Sequence, residues 1–217
     1  MSGQQYTVFG GPKNRALRVM WCLEELGASY EITDLNLFGG EQRSESYLKL
    51  NPAGKVPTLI DHEVKDDQGE PFALTESVAI LNYLAEKHAD HDTPLIPSAL
   101  TDRARYHQWM SFGATELEPP AWVYAKQTFI YPEPRRITAI KPTCAFELQR
   151  AVKHLARSLS DGRAFVLGDT LSAADIFISQ TMMWAELQGV ELPEGPALDY
   201  LARMKARPAL QRALARG

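Results

Sequence analysis

Nine residues, Asn51-Pro52-Ala53-Gly54-Lys55-Val56-Pro57-Thr58-Leu59, constrain this chain more than any other stretch. The residue before a proline is pushed out of the helical region, so Asn51-Pro52 ends whatever helix precedes it. Gly54 permits a tight turn, and Lys55 to Ile60 then reads as a short buried strand entered through Val56-Pro57. Pro57 lacks an N–H and does not belong in a fully paired central strand. At the mouth of a strand, just after a loop, it suits a cis bond or a backbone that faces a ligand. Val56 would then turn its own N–H and C=O outward, which is a way to hold a peptide by backbone pairing.

The flanking residues supply the frame. Tyr6 to Phe9 reads as a strand stopped by Gly10-Gly11-Pro12, and a helix is expected from Asn14 to Leu26, ended by Gly27. Tyr30 to Leu37 reads as a second strand, parallel to the first. Glu41 to Leu50 is a short helix. Thr58–Glu63 and Pro71–Leu74 flank the turn at Asp66 to Glu70 and form a hairpin. A helix over Thr75 to His88 completes a β-α-β-α-β-β-α order, the thioredoxin-like layout. Residues 89–100 form a linker between that domain, 1–88, and an all-α domain, 101–217.

In the second half, Thr101 is placed as the N-cap of a helix with Asp102 in its first turn, ended by Glu118-Pro119-Pro120. Residues 121–140 are aromatic, contain Pro132 and Pro134, and show no single period. Pro142 to Leu159 is a helix. Ser172 and Asp175 have the spacing of a capping box, with Leu171 and Ile176 as its staple, and a helix follows to Leu187. A last helix starts at Ala197 and is interrupted at Pro208.

Composition narrows the partners. With 23 Lys/Arg against 27 Asp/Glu, no basic field invites nucleic acid or an anionic membrane. Residues 1–88 hold 8 basic and 13 acidic side chains, so an anionic ligand there needs specific local cations. The two cysteines, Cys22 and Cys144, lack CxxC spacing, and the five histidines show no ligand spacing, so no metal is expected. No signal peptide or membrane-length apolar run is visible, and a cytoplasmic location is the expectation.

Five motifs together resemble the glutathione transferase superfamily, in the form of a bacterial-type cytosolic enzyme. They are Leu23-Glu24-Glu25-Leu26-Gly27, Gly40-Glu41-Gln42-Arg43, Asn51 to Pro57, Thr75-Glu76-Ser77-Val78-Ala79-Ile80, and Gly168 to Asp175. The resemblance implies glutathione as co-substrate, with Val56 beside a cis Pro57 pairing the cysteinyl unit. It implies Glu76 and Ser77 at the γ-glutamyl end, and Gln42, Arg43 and Lys55 at the glycyl carboxylate. A helix start at Ser77 favours a carboxylate on independent grounds, although Glu76-Ser77 also makes an ordinary helix start. Trp109, Phe112, Trp122 and Tyr124 are the implied electrophile site, with a homodimer built through the all-α domain and a role in detoxification.

The thiol-activating position is less defined. Family members place Tyr, Ser, Cys or occasionally Asn near the end of strand one or the start of helix one, but Gly10 to Arg18 here contains no hydroxyl or thiol. Tyr6 lies too far upstream. Asn14 is the candidate catalytic donor and Arg15 the second, with Lys13 and Arg18 adding positive charge. Asn14 equally suits a helix N-cap, and the residues do not decide between the two. A glutathione-dependent disulfide reductase or peroxidase, and a non-catalytic glutathione or ligand binder, remain alternatives to a transferase.

Overall fold

The computed structural model describes residues 4–216. Tyr6–Phe9 forms β1, Ala16–Glu25 α1 and Tyr30–Thr33 β2. A 3-10 turn at Glu41–Arg43 and helix α2, Glu45–Leu50, lead to β3, Thr58–Lys65. β4, Pro71–Thr75, and α3, Ser77–Lys87, follow. The sheet order is β2-β1-β3-β4, with β1 parallel to β2 and β3 antiparallel to both of its neighbours. The thioredoxin-like β-α-β-α-β-β-α order is therefore present. β2 stops at Thr33 rather than Leu37, because Asp34 and Asn36 fold the chain back on itself. Asp34 Oδ1 accepts the Leu35 N–H and Asn36 Oδ1 that of Gly39. The expected Glu41–Leu50 helix divides at Ser44, whose Oγ caps α2 through the Tyr47 N–H.

The chain forms two compact units. One runs to Pro94 and includes the segment from Arg207 onward, and the other is Leu95–Ala206. In the first unit α1 is enclosed on all sides, with every residue from Ala16 to Glu24 buried. The sheet, α3 and the terminal helix α9 (Pro208–Leu214) all pack against it. Apolar burial holds most of this assembly together, and an ionic clasp fixes α9. Glu24 receives Arg212 Nε at 2.8 Å, Arg216 Nε at 2.7 Å and the Tyr30 hydroxyl at 3.0 Å. Glu25 receives Arg207 through Nε and Nη2, at 2.5 and 2.8 Å.

The second unit is helical: α4 (Leu100–Phe112), α5 (Glu118–Ala125), α6 (Lys141–Ser158), α7 (Ala173–Leu187) and α8 (Pro196–Lys205). Three expectations change here. Ala99, not Thr101, caps α4, and Thr101 lies inside its first turn with Asp102. Glu118-Pro119-Pro120 does not break the run. A π turn over Gly113–Leu117, closed by Glu118 N–H to Gly113 O, puts both prolines in the first turn of α5, where their missing N–H groups cost little. Of residues 121–140, which show no single period in the sequence, 121–130 are helical, the last five as a second π turn, and only 131–140 is built of short 3-10 turns and bends. Gly113 also lets this helix meet α7, since a Cβ there would lie 2.5 Å from the Phe177 ring.

The capping box is present. Asp175 Oδ2 accepts the N–H and hydroxyl of Ser172 at 2.9 and 2.7 Å, and Oδ1 accepts the Val166 N–H and Tyr200 hydroxyl at 2.8 and 3.1 Å. Burial pushes the Asp175 pKa up, and all of its accepting capacity is spent inside the unit. It has no capacity left for chemistry.

For Glu24, burial works against ionisation, but hydrogen bonds from Arg212 and Tyr30 and the charge of Arg216 outweigh it, so its pKa is lowered. The resulting stabilisation is complete above the ordinary Glu value of about 4.3 and is lost as pH falls through the lower folded value. Glu24→Gln is expected to cost about 2 kcal/mol at pH 7. The gap from the parent protein should close as the pH drops below about 4. Chemical denaturation at the two pH values measures both effects.

Candidate functional site

The Val56–Pro57 peptide is cis and stands just before β3. The turn in front of it is fixed from behind. The Lys55 carbonyl accepts the Tyr47 hydroxyl at 2.5 Å and Asn51 Nδ2 at 2.8 Å. Tyr47 also meets Thr58 Oγ1 at 2.8 Å. Asn51 Oδ1 takes the Ala53 N–H, and its carbonyl takes that of Gly54. Burial raises the Tyr47 pKa, which keeps the phenol protonated as a donor. Val56 itself is half-exposed, and among the described residues neither its N–H nor its C=O has a hydrogen-bond partner. It is an accessible backbone edge on a rigid support.

The start of α1 meets this edge at Gly10. There φ is +107°, and a Cβ would lie 2.9 Å from Ala16 Cβ and Asn14 Oδ1 and 3.1 Å from Val56 Cβ. The missing side chain is what lets Asn14 and Val56 come together. Asn14 Oδ1 accepts the Ala16 N–H at 2.9 Å. A backbone N–H only donates, so the facing amide atom is the oxygen and the NH2 points away from the helix. That NH2 has no partner among the described residues. The cap and the free donor therefore coexist in one side chain. Arg15 is half-buried and Lys13 exposed beside it. Tyr6, excluded from the sequence on grounds of distance, commits its hydroxyl to His88 Nε2 at 2.8 Å.

Glu76 and Ser77 open α3. Glu76 is exposed and holds φ at +66°, an unusual conformation for a residue with a side chain and one found most often at functional sites. Ser77 is buried, and its Oγ accepts Arg18 Nη1 at 3.0 Å. Arg43 and Lys55 are exposed, and the Arg43 side chain lies against Gly54 beside Lys55. Gln42 is turned inward. Its Nε2 donates to Leu37 O at 3.0 Å, and its Oε1 is buried without a partner. Of the three residues expected at one carboxylate, two present cations to solvent and the third braces its own loop.

The four aromatics of the second unit fall into separate groups. Trp109 and Phe112 meet edge to face at 5.3 Å, and Phe112 packs on His154 at 5.2 Å. Trp122 instead stacks on Trp184 at 5.9 Å, and Tyr124 lies under Lys141 Nζ at 4.4 Å. A cavity of about 320 Å³ opens beside Phe112 and His154, bordered by Glu116, Glu147 and Arg150. His154, Trp184 and Lys141 join these groups without a signal in the sequence. They lie on helices distant in the chain, and no local spacing links them to 109–124. Among the described residues no group of three or more His, Cys, Asp or Glu could hold a metal ion.

A glutathione S-transferase N-terminal domain model matches residues 4–86. Glutathione S-transferase 1 of Schizosaccharomyces pombe is 33% identical over 191 residues, covering 84% of this chain and 79% of that protein. The chain belongs to the glutathione S-transferase family. The disulfide-bond oxidoreductase YfcG of Escherichia coli (strain K12) is 29% identical over 209 residues, covering 95% of this chain and 93% of that protein. A glutathione transferase family member from Pseudomonas fluorescens pf-5, crystallised with two glutathione bound, superposes with a TM-score of 0.81 at 26% identity. The match covers 97% of this chain and 92% of that one.

In this member of the glutathione S-transferase family, Gly10 is the contact on which the meeting of Asn14 and Val56 depends. Gly10→Ala combines a positive φ with close contacts to Ala16 and Val56, and is expected to cost about 2 kcal/mol or more. Denaturation midpoints measure this. A loss below about 0.5 kcal/mol, the level of an ordinary surface change, would contradict the packing described.

Proposed function

We propose that this protein binds glutathione on residues 1–88, stabilises its thiolate, and conjugates it to a small apolar electrophile bound by residues 101–217. The observation that carries this reading is the unpaired Val56 edge lying beside the outward Asn14 amide. Val56 pairs with the cysteinyl unit of glutathione, next to Pro57. The γ-glutamyl carboxylate meets Ser77 and the free N–H groups at the start of α3, where the helix dipole favours an anion. Glu76 meets the glutamyl ammonium. Arg43 and Lys55 take the glycyl carboxylate, with the remaining N–H of Gln42 secondary to them.

A free thiol has a pKa of roughly 8.5. The Asn14 amide cannot accept the proton, so it acts by hydrogen-bonding the thiolate, and the proton leaves to solvent. A hydrogen bond to a charged group stabilises by about 1.5–3 kcal/mol, which lowers the thiol pKa by about one to two. Arg15 is the second donor. Trp109, Phe112, Trp122 and Tyr124 supply apolar surface for the electrophile, and the second unit also contributes the contacts of a homodimer. The setting is the cytoplasm and the role detoxification.

The resemblance to a disulfide-bond oxidoreductase supports a second reading, in which the same thiolate attacks a disulfide or a peroxide instead of a carbon electrophile. A non-catalytic binder is the third. Retention on immobilised glutathione tests binding. The ultraviolet thiolate band of bound glutathione, titrated with pH, then separates activation from storage. A bound thiol that titrates no lower than the free one overturns both catalytic readings. Asn14→Ala is expected to raise the bound-thiol pKa by about one to two. An unchanged value would shift the role to Arg15 or to a backbone N–H.

A further inference from the structure

Arg18 is the large charged side chain that lies wholly out of water in the first unit, and it sits one turn past Asn14 on α1. Its Nη1 donates to Ser77 Oγ at 3.0 Å. A guanidinium has donors and no acceptor, so in this contact Ser77 can only accept. The hydroxyl proton of Ser77 is therefore left to point elsewhere, and it has no other side-chain partner among the described residues. Accepting from a charged donor also polarises the O–H and strengthens it as a donor in its turn.

We propose that Arg18 is a positioning residue that sets the direction of the Ser77 hydroxyl, so that its proton is presented to the α-carboxylate of the γ-glutamyl group. The proposal rests on the glutathione reading of the site. Arg18 need not touch the ligand. It makes Ser77 an obligate donor on the ligand side, where an unpartnered serine would rotate freely between donor and acceptor roles. A carboxylate, which only accepts, gains from that bias, and a neutral group in the same place does not. Arg18 thereby discriminates in favour of an anionic end group at the start of α3.

The test compares two ligands on the full-length protein by calorimetry: glutathione, and γ-aminobutyryl-cysteinyl-glycine, which is glutathione without the glutamyl α-carboxylate. Arg18→Met is expected to weaken glutathione about tenfold or more and to leave the truncated tripeptide within about twofold. General damage to the fold would weaken both ligands alike, and that result overturns the proposal. Ser77→Ala, which leaves the buried arginine in place, should show the same selective loss. Adding Arg18→Met to it should cost no further discrimination. Unchanged discrimination in Ser77→Ala overturns the proposal whether or not Arg18→Met folds. If the parent protein binds neither ligand, the glutathione reading fails and this proposal falls with it. If the parent binds glutathione and the variants lose both ligands equally, only the role of Arg18 falls.

Discussion

The site depends on one interaction: the hold of Tyr47 and Asn51 on the Lys55 carbonyl. Two donors on one carbonyl, one from a buried phenol and one from a side-chain amide, fix the turn from the protein side. Because the turn is satisfied from behind, its front face keeps the N–H and C=O of Val56 unspent. An unpaired backbone edge is normally costly when buried and unremarkable when wet. Here it is half-exposed, so the unliganded protein pays little for keeping it open. A peptide that pairs with it replaces water without first having to order the loop.

The rest of the first unit serves that edge. Gly10 brings the first turn of α1 against Val56, which sets the Asn14 amide beside the backbone edge. The other end of α1 is held by Glu24 and Glu25 in the clasp of Arg207, Arg212 and Arg216. The helix that carries the candidate donor is therefore tied down at both ends, by close packing at Gly10 and by charge at the terminal helix. Between those ends it is buried throughout, and it contributes Arg18 to the start of α3. The Asn14 cap at its first turn and the Arg18–Ser77 bond thus share one rigid element.

Much of this was legible in the sequence. The prolines and glycine of Asn51 to Leu59 announced a turn at a strand mouth, and β1, the hairpin and α3 followed from period and punctuation. What could not be read was non-local. Asn51 reads as a helix stop and Tyr47 carries no local signal, because their hydrogen bonds are made across the turn to Lys55 and Thr58. Glu24 and Glu25 belong to a recognisable motif, yet their partners lie some 180 residues later. Pro119 and Pro120 read as a helix break because proline rules describe α-helices, and a π turn changes which N–H groups are needed. Gln42 reads as a ligand donor, and its bond to the Leu37 carbonyl within its own loop has no local sequence signal.

A Val56 edge that stays open until a peptide pairs with it has a direct signature in solution. Amide hydrogen exchange at Val56, measured by NMR with and without glutathione, tests this most directly. Rapid exchange is expected in the free protein and strong protection on saturation, with the Leu59 amide inside β3 slow in both states. A Val56 amide already protected in the free protein, or one that glutathione leaves unchanged, would contradict it.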